Sequence, residues 1–238
     1  MGLASYMLAI CKKEFFALFR GFKSIFILVV FIGFSYFIAD VVGENLNDLS
    51  SDGLSQIEMG SPYAAGLRFL VIGLGFLFVC LLSHDIVNKE IETQTIRFLV
   101  TKSSRSSIIL GKYLGTVFFW STILCLSYIP IAFVSKTIDI HLLGSLVCFV
   151  SFVISWTILL STIIYRSSYT LLIGIIASIL YPVVGVLSLA KNGVIWDVLR
   201  YLTPYHYLLL KGYWGLLPLL ISLLLVFVAT IIFSRKDL

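Results

Sequence analysis

Charge is what this chain has least of. Asp, Glu, Lys and Arg make up only 12% of its 238 residues, 60% are hydrophobic, and the mean hydropathy is +1.06. A soluble domain of this size does not normally reach such values, so an integral membrane protein is expected. Cysteine is sparse and scattered. Cys11, Cys80, Cys125 and Cys148 form no CxxC pair and have no histidine at ligand spacing. That argues against a metal site or a disulfide framework and leaves them as small apolar fillers. Catalytic signatures are missing as well, with no HExxH, no GxSxG and no paired-glutamate helix motif, so no enzyme is expected. Gly111-Lys112 looks like the end of a phosphate-binding loop, but Tyr113 follows where Ser or Thr is needed and Ser106 stands at the earlier glycine position. A Walker A site for ATP is excluded. The middles of the apolar runs hold almost no ionisable groups: Asp40, His84, Asp85, Asp139 and His141 all fall near run ends. The buried carboxylates and histidines of proton- or ion-driven transport are therefore lacking, and active transport would need energy from another polypeptide.

What is present is lipid-compatible length. A helix rises about 1.5 Å per residue and the hydrocarbon core is about 30 Å thick, so a span needs roughly 20 apolar residues. The runs 24–42, 63–83, 109–134, 141–165, 170–190 and 213–233 meet that test. They are continuous, not alternating, which predicts an all-α integral membrane bundle of six transmembrane helices and not a β-barrel. An even number of spans places both termini on one side. Lys12, Lys13, Arg20, Lys23, Lys89, Arg97, Lys102, Arg105, Lys112, Arg166, Arg235 and Lys236 fall on that side, against Lys136, Lys191, Arg200 and Lys211 on the other. The bias predicts cytoplasmic termini in the cell membrane. It also accounts for the net charge of +5 through lipid head groups, without nucleic acid as a partner. About 23 residues precede the first run and no small-residue cleavage pattern follows it, so the first span is expected to stay as an anchor.

The flanks carry their own patterns. In 1–23, Leu3, Met7, Cys11, Phe15, Leu18 and Phe22 recur at steps of three or four beside Lys12, Lys13, Arg20 and Lys23, predicting an amphipathic helix on the inner leaflet. It is either a simple surface anchor or one that also touches a cytoplasmic partner. The segment 191–212 is too polar to span but holds Trp196, Tyr201, Tyr205, His206 and Tyr207, with turn signals at Asn192-Gly193 and Thr203-Pro204. It is expected to form short helices that dip into or cap the outer face, with His206 structural. Gly111 and Gly115 permit close helix approach. Pro182 should kink the fifth span, as a gating point or a packing solution. Arg68 sits inside the second span near its outer end, where it either snorkels to the head groups or touches a substrate.

The long charged interruption is 84–108. Ile86, Glu90, Thr93 and Arg97 can share one helical face, and Ile91, Thr95, Phe98 and Leu99 another, so 85–100 is predicted as one amphipathic helix across the inner mouth of the bundle. Thr101 to Ser104 should break it, with Ser103 or Ser104 capping the next helix. Here the chain resembles the permease subunits of the ABC-2 type transporter family, whose pattern is close to E-x-E-x-G-T-[LI]-x-x-L-[LV]-x-x-P-x-S-R-x-x-[IL]-x-x-[GA]-K. Glu90, Glu92, Thr95, Ile96, Leu99, Val100, Ser104, Arg105, Ile108, Gly111 and Lys112 fit in order, the chain having one residue fewer than the pattern between Val100 and Ser104. Gln94 stands where glycine is usual and Lys102 where proline is usual. The segment Arg200-Tyr-Leu-Thr-Pro-Tyr-His-Tyr also looks like the family's aromatic-proline element before the last span.

The resemblance implies a non-catalytic permease paired with a second permease, identical or related, and driven by two copies of a separate ATP-binding subunit that holds ATP and Mg. Within it, 84–108 acts as a coupling segment. Glu90, Glu92, Arg97 and Arg105 would make charge contacts at the rim of the ATPase groove, Ile91, Phe98 and Leu99 would fill it, and Thr95 belongs to the same docking set. The implied function is export of a peptide, lipid-like or other amphipathic substrate; Arg68 and Pro182, from their placement in the spans, are the candidate substrate-path residues. The alternative is a stand-alone membrane immunity protein that binds a membrane-active peptide without ATP.

Overall fold

A computed structural model describes residues 3–44, 62–209 and 215–236, and these are helical with no strand. The acidic residues Asp48, Asp52 and Glu58, and Lys211 with the start of the sixth run at Tyr213, lie outside the described residues. Helix α1 (Leu3–Phe19) is followed by a bend at Arg20-Gly21 and by α2 (Phe22–Glu44). The second span is segmented: a 3-10 turn over Pro62–Ala64, α3 (Ala65–Phe69), a π-helical stretch over Leu70–Leu74, and α4 (Gly75–Ser83). After two short helices, α5 (Asn88–Glu92) and α6 (Ile96–Lys102), come the long rods α7 (Arg105–Ser135), α8 (Ile140–Ile163) and α9 (Ser167–Ala190). The short α10 (Val194–Leu202) and α11 (Tyr205–Leu209) precede α12 (Leu217–Ser234).

Among the described residues six helices are long and apolar enough to cross a membrane, and each overlaps one of the expected runs. Their apolar side chains point both ways. Phe31, Phe76 and Phe149 are fully enclosed, whereas Val29, Phe37, Ile179, Val186 and Phe227 stand open on the outer surface. In water such a surface would associate; against acyl chains it is matched. α8 is the axis of the bundle. Its most apolar stretch is 72% buried, against 22% for α2 and α9 and 28% for α12, because α4, α7, α9 and α12 all pack around it. Three hydroxyls on α8 are satisfied by its own backbone: those of Ser155, Thr157 and Thr162 donate to the carbonyls of Phe152, Val153 and Ile158. A cross-helix tie joins α7, α12 and α8, where the Tyr113 and Ser222 hydroxyls lie 2.7 Å apart and Ser222 donates to the Ser151 carbonyl.

The expected surface helix is seated on the third span. Beside Gly111 lie Met7 and Ile10, beside Gly115 lie Cys11 and Glu14, and the Phe19 ring meets Phe119 at 4.7 Å between centroids. The contacts advance by the same step on both elements, so α1 runs in the direction of α7 along its first turns. At the opposite end of the molecule Tyr205 enters the bundle. Its ring packs on Phe149, on Tyr181 and on the bare backbone of Gly185, and its hydroxyl donates to the Ile72 carbonyl within the π-helical stretch. The irregular stretch of the second span is where the Tyr205 hydroxyl docks. The aromatics expected to rest at the head groups thus include one that is 4% exposed. His206 stays at the edge between the Tyr201 and Tyr207 rings, and burial together with Arg200 lowers its pKa below the ordinary value, as suits a packing role.

A methyl at Gly115 would lie 2.7 Å from the Cys11 carbonyl oxygen, which cannot move without shifting α1. Gly115→Ala should therefore destabilise the α1–α7 contact by about 1–3 kcal/mol. Thermal unfolding in detergent and proteolytic release of residues 1–20 check it; an unchanged midpoint and cleavage rate would show that α1 does not depend on this contact.

Candidate functional site

The segment between the second and third spans forms a short elbow against the face that carries both ends of the described chain. One helix was expected over 85–100; two are present. α5 ends at Glu92, the turn Thr93–Thr95 follows, and Gln94 sits in the left-handed region at φ 58° before α6 starts. Thr93 and Thr95 hold the turn, their hydroxyls 3.0 Å apart and the Thr93 hydroxyl donating to the Lys89 carbonyl. The helical period breaks there because a left-handed residue reverses the path of the chain. Ser104 caps α7 as expected, its hydroxyl accepting the Ser107 N–H, which extends that helix four residues beyond its apolar run.

The elbow is tied to the ends of five helices on this face. Lys112 on α7 is 2% exposed, and its Nζ lies 2.8 Å from Glu14 Oε1 on α1 and 3.1 Å from Glu90 Oε2 on α5. The second contact is an ion pair not aligned for a hydrogen bond, while the first is both. The other Glu90 oxygen faces Lys13 at 3.5 Å. Asn88 is fully buried: its N–H and that of Val87 donate to Ser161 Oγ on α8, and its amide NH2 donates to Thr170 Oγ1 on α9 at 2.6 Å. Glu92 accepts the Ser167 N–H at the first turn of α9, where a negative charge suits the helix dipole. Finally, Arg105 Nη1 donates to the carbonyls of Phe233, Ser234 and Lys236, closing the end of α12 with a cation.

These contacts sort the residues singled out by the sequence. Ile91 is buried in the chain's own core and Leu99 packs against that core. Glu90 and Arg105 are committed to internal partners. Glu92, Thr95, Arg97 and Phe98 remain open, joined by Thr93, Thr101 and Lys102. Phe98 is 76% exposed, an aromatic ring presented to solvent between Arg97 and Lys102 on an element otherwise anchored on every side. Arg68 and Pro182 belong to a different region. Arg68 is half-buried near the opposite face, with Nε and Nη2 covered and without a hydrogen-bond partner among the described residues. Pro182 lies within α9, which continues to Ala190, next to Tyr181 of the aromatic cluster around Tyr205.

Sequence reasoning passed over Glu14, Asn88, Ser161 and Thr170. Glu14 had a usable signal: it is the only carboxylate among the cations of residues 1–23. Asn88 had none, since an asparagine beside a charged stretch reads as solvated. Among the described residues no group of His, Cys, Asp and Glu is placed to hold a metal. Comparison of the sequence with protein-family models and with curated proteins finds no match.

Two measurements follow from the geometry. Lys112→Met should destabilise the fold by about 3–5 kcal/mol by leaving two carboxylates facing each other, and adding Glu14→Gln and Glu90→Gln should restore most of that loss. Chemical or thermal unfolding of the single and triple variants compares the two; equal stability of both would sink the ion-cluster account. Gln94→Gly should stabilise by roughly 1 kcal/mol, because the left-handed backbone strains a side chain but not glycine. A lowered midpoint would mean that the turn is not strained.

Proposed function

We propose that this chain is a non-catalytic permease subunit of an ATP-driven exporter of the ABC-2 type, with its termini in the cytoplasm. Phe98 carries this reading. An exposed aromatic flanked by cations, on an elbow that grips α1, α7, α8, α9 and α12, is a handle: force applied there reaches the inner ends of five helices. The motif residues support it further. Glu90 and Lys112, at the two ends of the pattern, touch each other, so the pattern describes one folded unit. Gln94, at the pattern's glycine position, has the backbone conformation that glycine adopts most easily. The bias of Lys and Arg toward the face of the termini supports the orientation.

The docking face in this proposal is narrower than the one read from sequence. Phe98 enters an apolar pocket on a separate ATP-binding subunit, and Arg97, Lys102 and Glu92 line its rim. Two such subunits, holding ATP and Mg, act on a pair of permeases, and closure of the nucleotide sites shifts the elbow. The substrate is a peptide, lipid-like or other amphipathic molecule. Arg68 and Pro182 lie toward the far side, where such a molecule would leave.

Full-length protein purified from its native membranes should bring down ATP-hydrolysing activity. Phe98→Glu should reduce that recovered activity at least about tenfold, the loss of one central anchor, and Phe98→Leu should retain most of it. Protection of cells against a membrane-active peptide by the chain alone, with no ATPase attached and no effect of Phe98→Glu, would overturn the proposal in favour of a stand-alone binding protein.

A further inference from the structure

The bend at Arg20-Gly21 is flanked by two grooves of the same chemistry. One, of about 520 Å³, lies between α1 and α7 and is lined by Leu8, Cys11, Lys12, Phe15, Phe118 and Thr122. The other, of about 260 Å³, lies between α2 and α4 and is lined by Phe22, Lys23, Phe26, Ile27, Phe78 and Leu81. Each has apolar walls, one lysine and no carboxylate. The cations of this region divide by direction. Lys13 and Lys112, which face the elbow, are paired with Glu90 and Glu14, whereas Lys12 and Lys23, which face the grooves, are exposed and take part in no ion pair among the described residues.

We propose that these grooves bind an anionic phospholipid from the leaflet on the side of the chain ends, with an acyl chain on the phenylalanine walls and the headgroup against Lys12 or Lys23. Position favours this occupant. Phe78 and Leu81 lie in the last turns of the second span before Ser83, Phe22 and Lys23 open the first span, and Phe118 and Thr122 lie within about three turns of Lys112 on the third. The walls thus face acyl chains while the lysines reach the head-group level, the arrangement by which a long cationic side chain works at an interface. The charge pattern selects the lipid class: with no acid in either lining, nothing meets the ammonium of a zwitterionic headgroup. A second copy of the chain, docked here about a two-fold axis, would bring one acid-free basic patch against another.

The test places the full-length protein in nanodiscs containing phosphatidylglycerol and phosphatidylcholine and measures the composition of retained lipid by native mass spectrometry or spin-labelled lipid. Wild type should retain phosphatidylglycerol preferentially, and Lys12→Gln with Lys23→Gln should lower that preference by about fivefold per lysine. Leu8→Trp, which fills the larger groove and leaves both lysines, should reduce the number of retained anionic lipids, and millimolar inorganic phosphate should not displace them. Four results would each overturn the proposal: undiminished selectivity in the double lysine variant, retained lipid unaffected by Leu8→Trp, displacement by free phosphate, or a change of oligomeric state in Leu8→Trp with lipid retention unaltered.

Discussion

Lys112 is the one charged side chain that is buried among the described residues, and the terminal half of the molecule is arranged around it. Taking an ammonium group out of water costs several kcal/mol, and only opposite charges held at close range offset that cost. Here the offset comes from two carboxylates on two elements remote in sequence, Glu14 and Glu90. Neither alone suffices to neutralise its surroundings, because Glu90 also meets Lys13. The cluster therefore holds α1, the elbow and the third span in one mutual register. The glycines at 111 and 115 serve the same contact from the apolar side, since only a bare backbone lets α1 approach closely enough for Glu14 to reach across.

Apolar packing cannot enforce such a register by itself. In a bilayer the helices gain little by burying Leu or Phe against one another, because acyl chains are equally apolar. Specific contacts must come from close backbone approach, aromatic interlocking and polar ties, and the bundle uses each at a different level. The ion cluster and the Asn88 knot fix the face of the chain ends, the Tyr113–Ser222–Ser151 tie fixes the interior, and Tyr205 on Gly185 fixes the opposite face. The Tyr205 hydroxyl is bonded to the Ile72 carbonyl within the π-helical stretch, so an irregularity in the second span and an aromatic from the short helix before the last span meet at one point.

The spans were legible because lipid thickness imposes a length that a sequence displays directly, and the agreement of six runs with six rods follows from that single constraint. The cap at Ser104 and the glycine pair were legible for similar local reasons. The elbow was legible as an amphipathic element but not as two helices, since the break depends on Gln94 adopting a left-handed conformation that its residue type does not signal. Assigning Glu90, Ile91 and Arg105 to an outward face failed to anticipate partners more than 20 residues away: Lys112 for Glu90, the core for Ile91, the end of α12 for Arg105. Helical periodicity identifies residues that share a face. It cannot say whether that face meets water or another helix.

What the elbow can transmit follows from what holds it. A segment fixed at one point would rotate about it under load, but this one is fixed to α1, α7, α8, α9 and α12, while the Thr93–Thr95 turn and Arg97, Phe98, Thr101 and Lys102 are exposed. A load on Phe98 therefore divides along two routes. Through α5 it reaches α1, α7, α8 and α9; through α6 and Arg105 it reaches α7 and α12. Since packed interiors deform little and polar ties act over short distances, the two halves of the elbow can move separately only by bending at Gln94. The strained turn is thus the joint between two routes that meet again on α7.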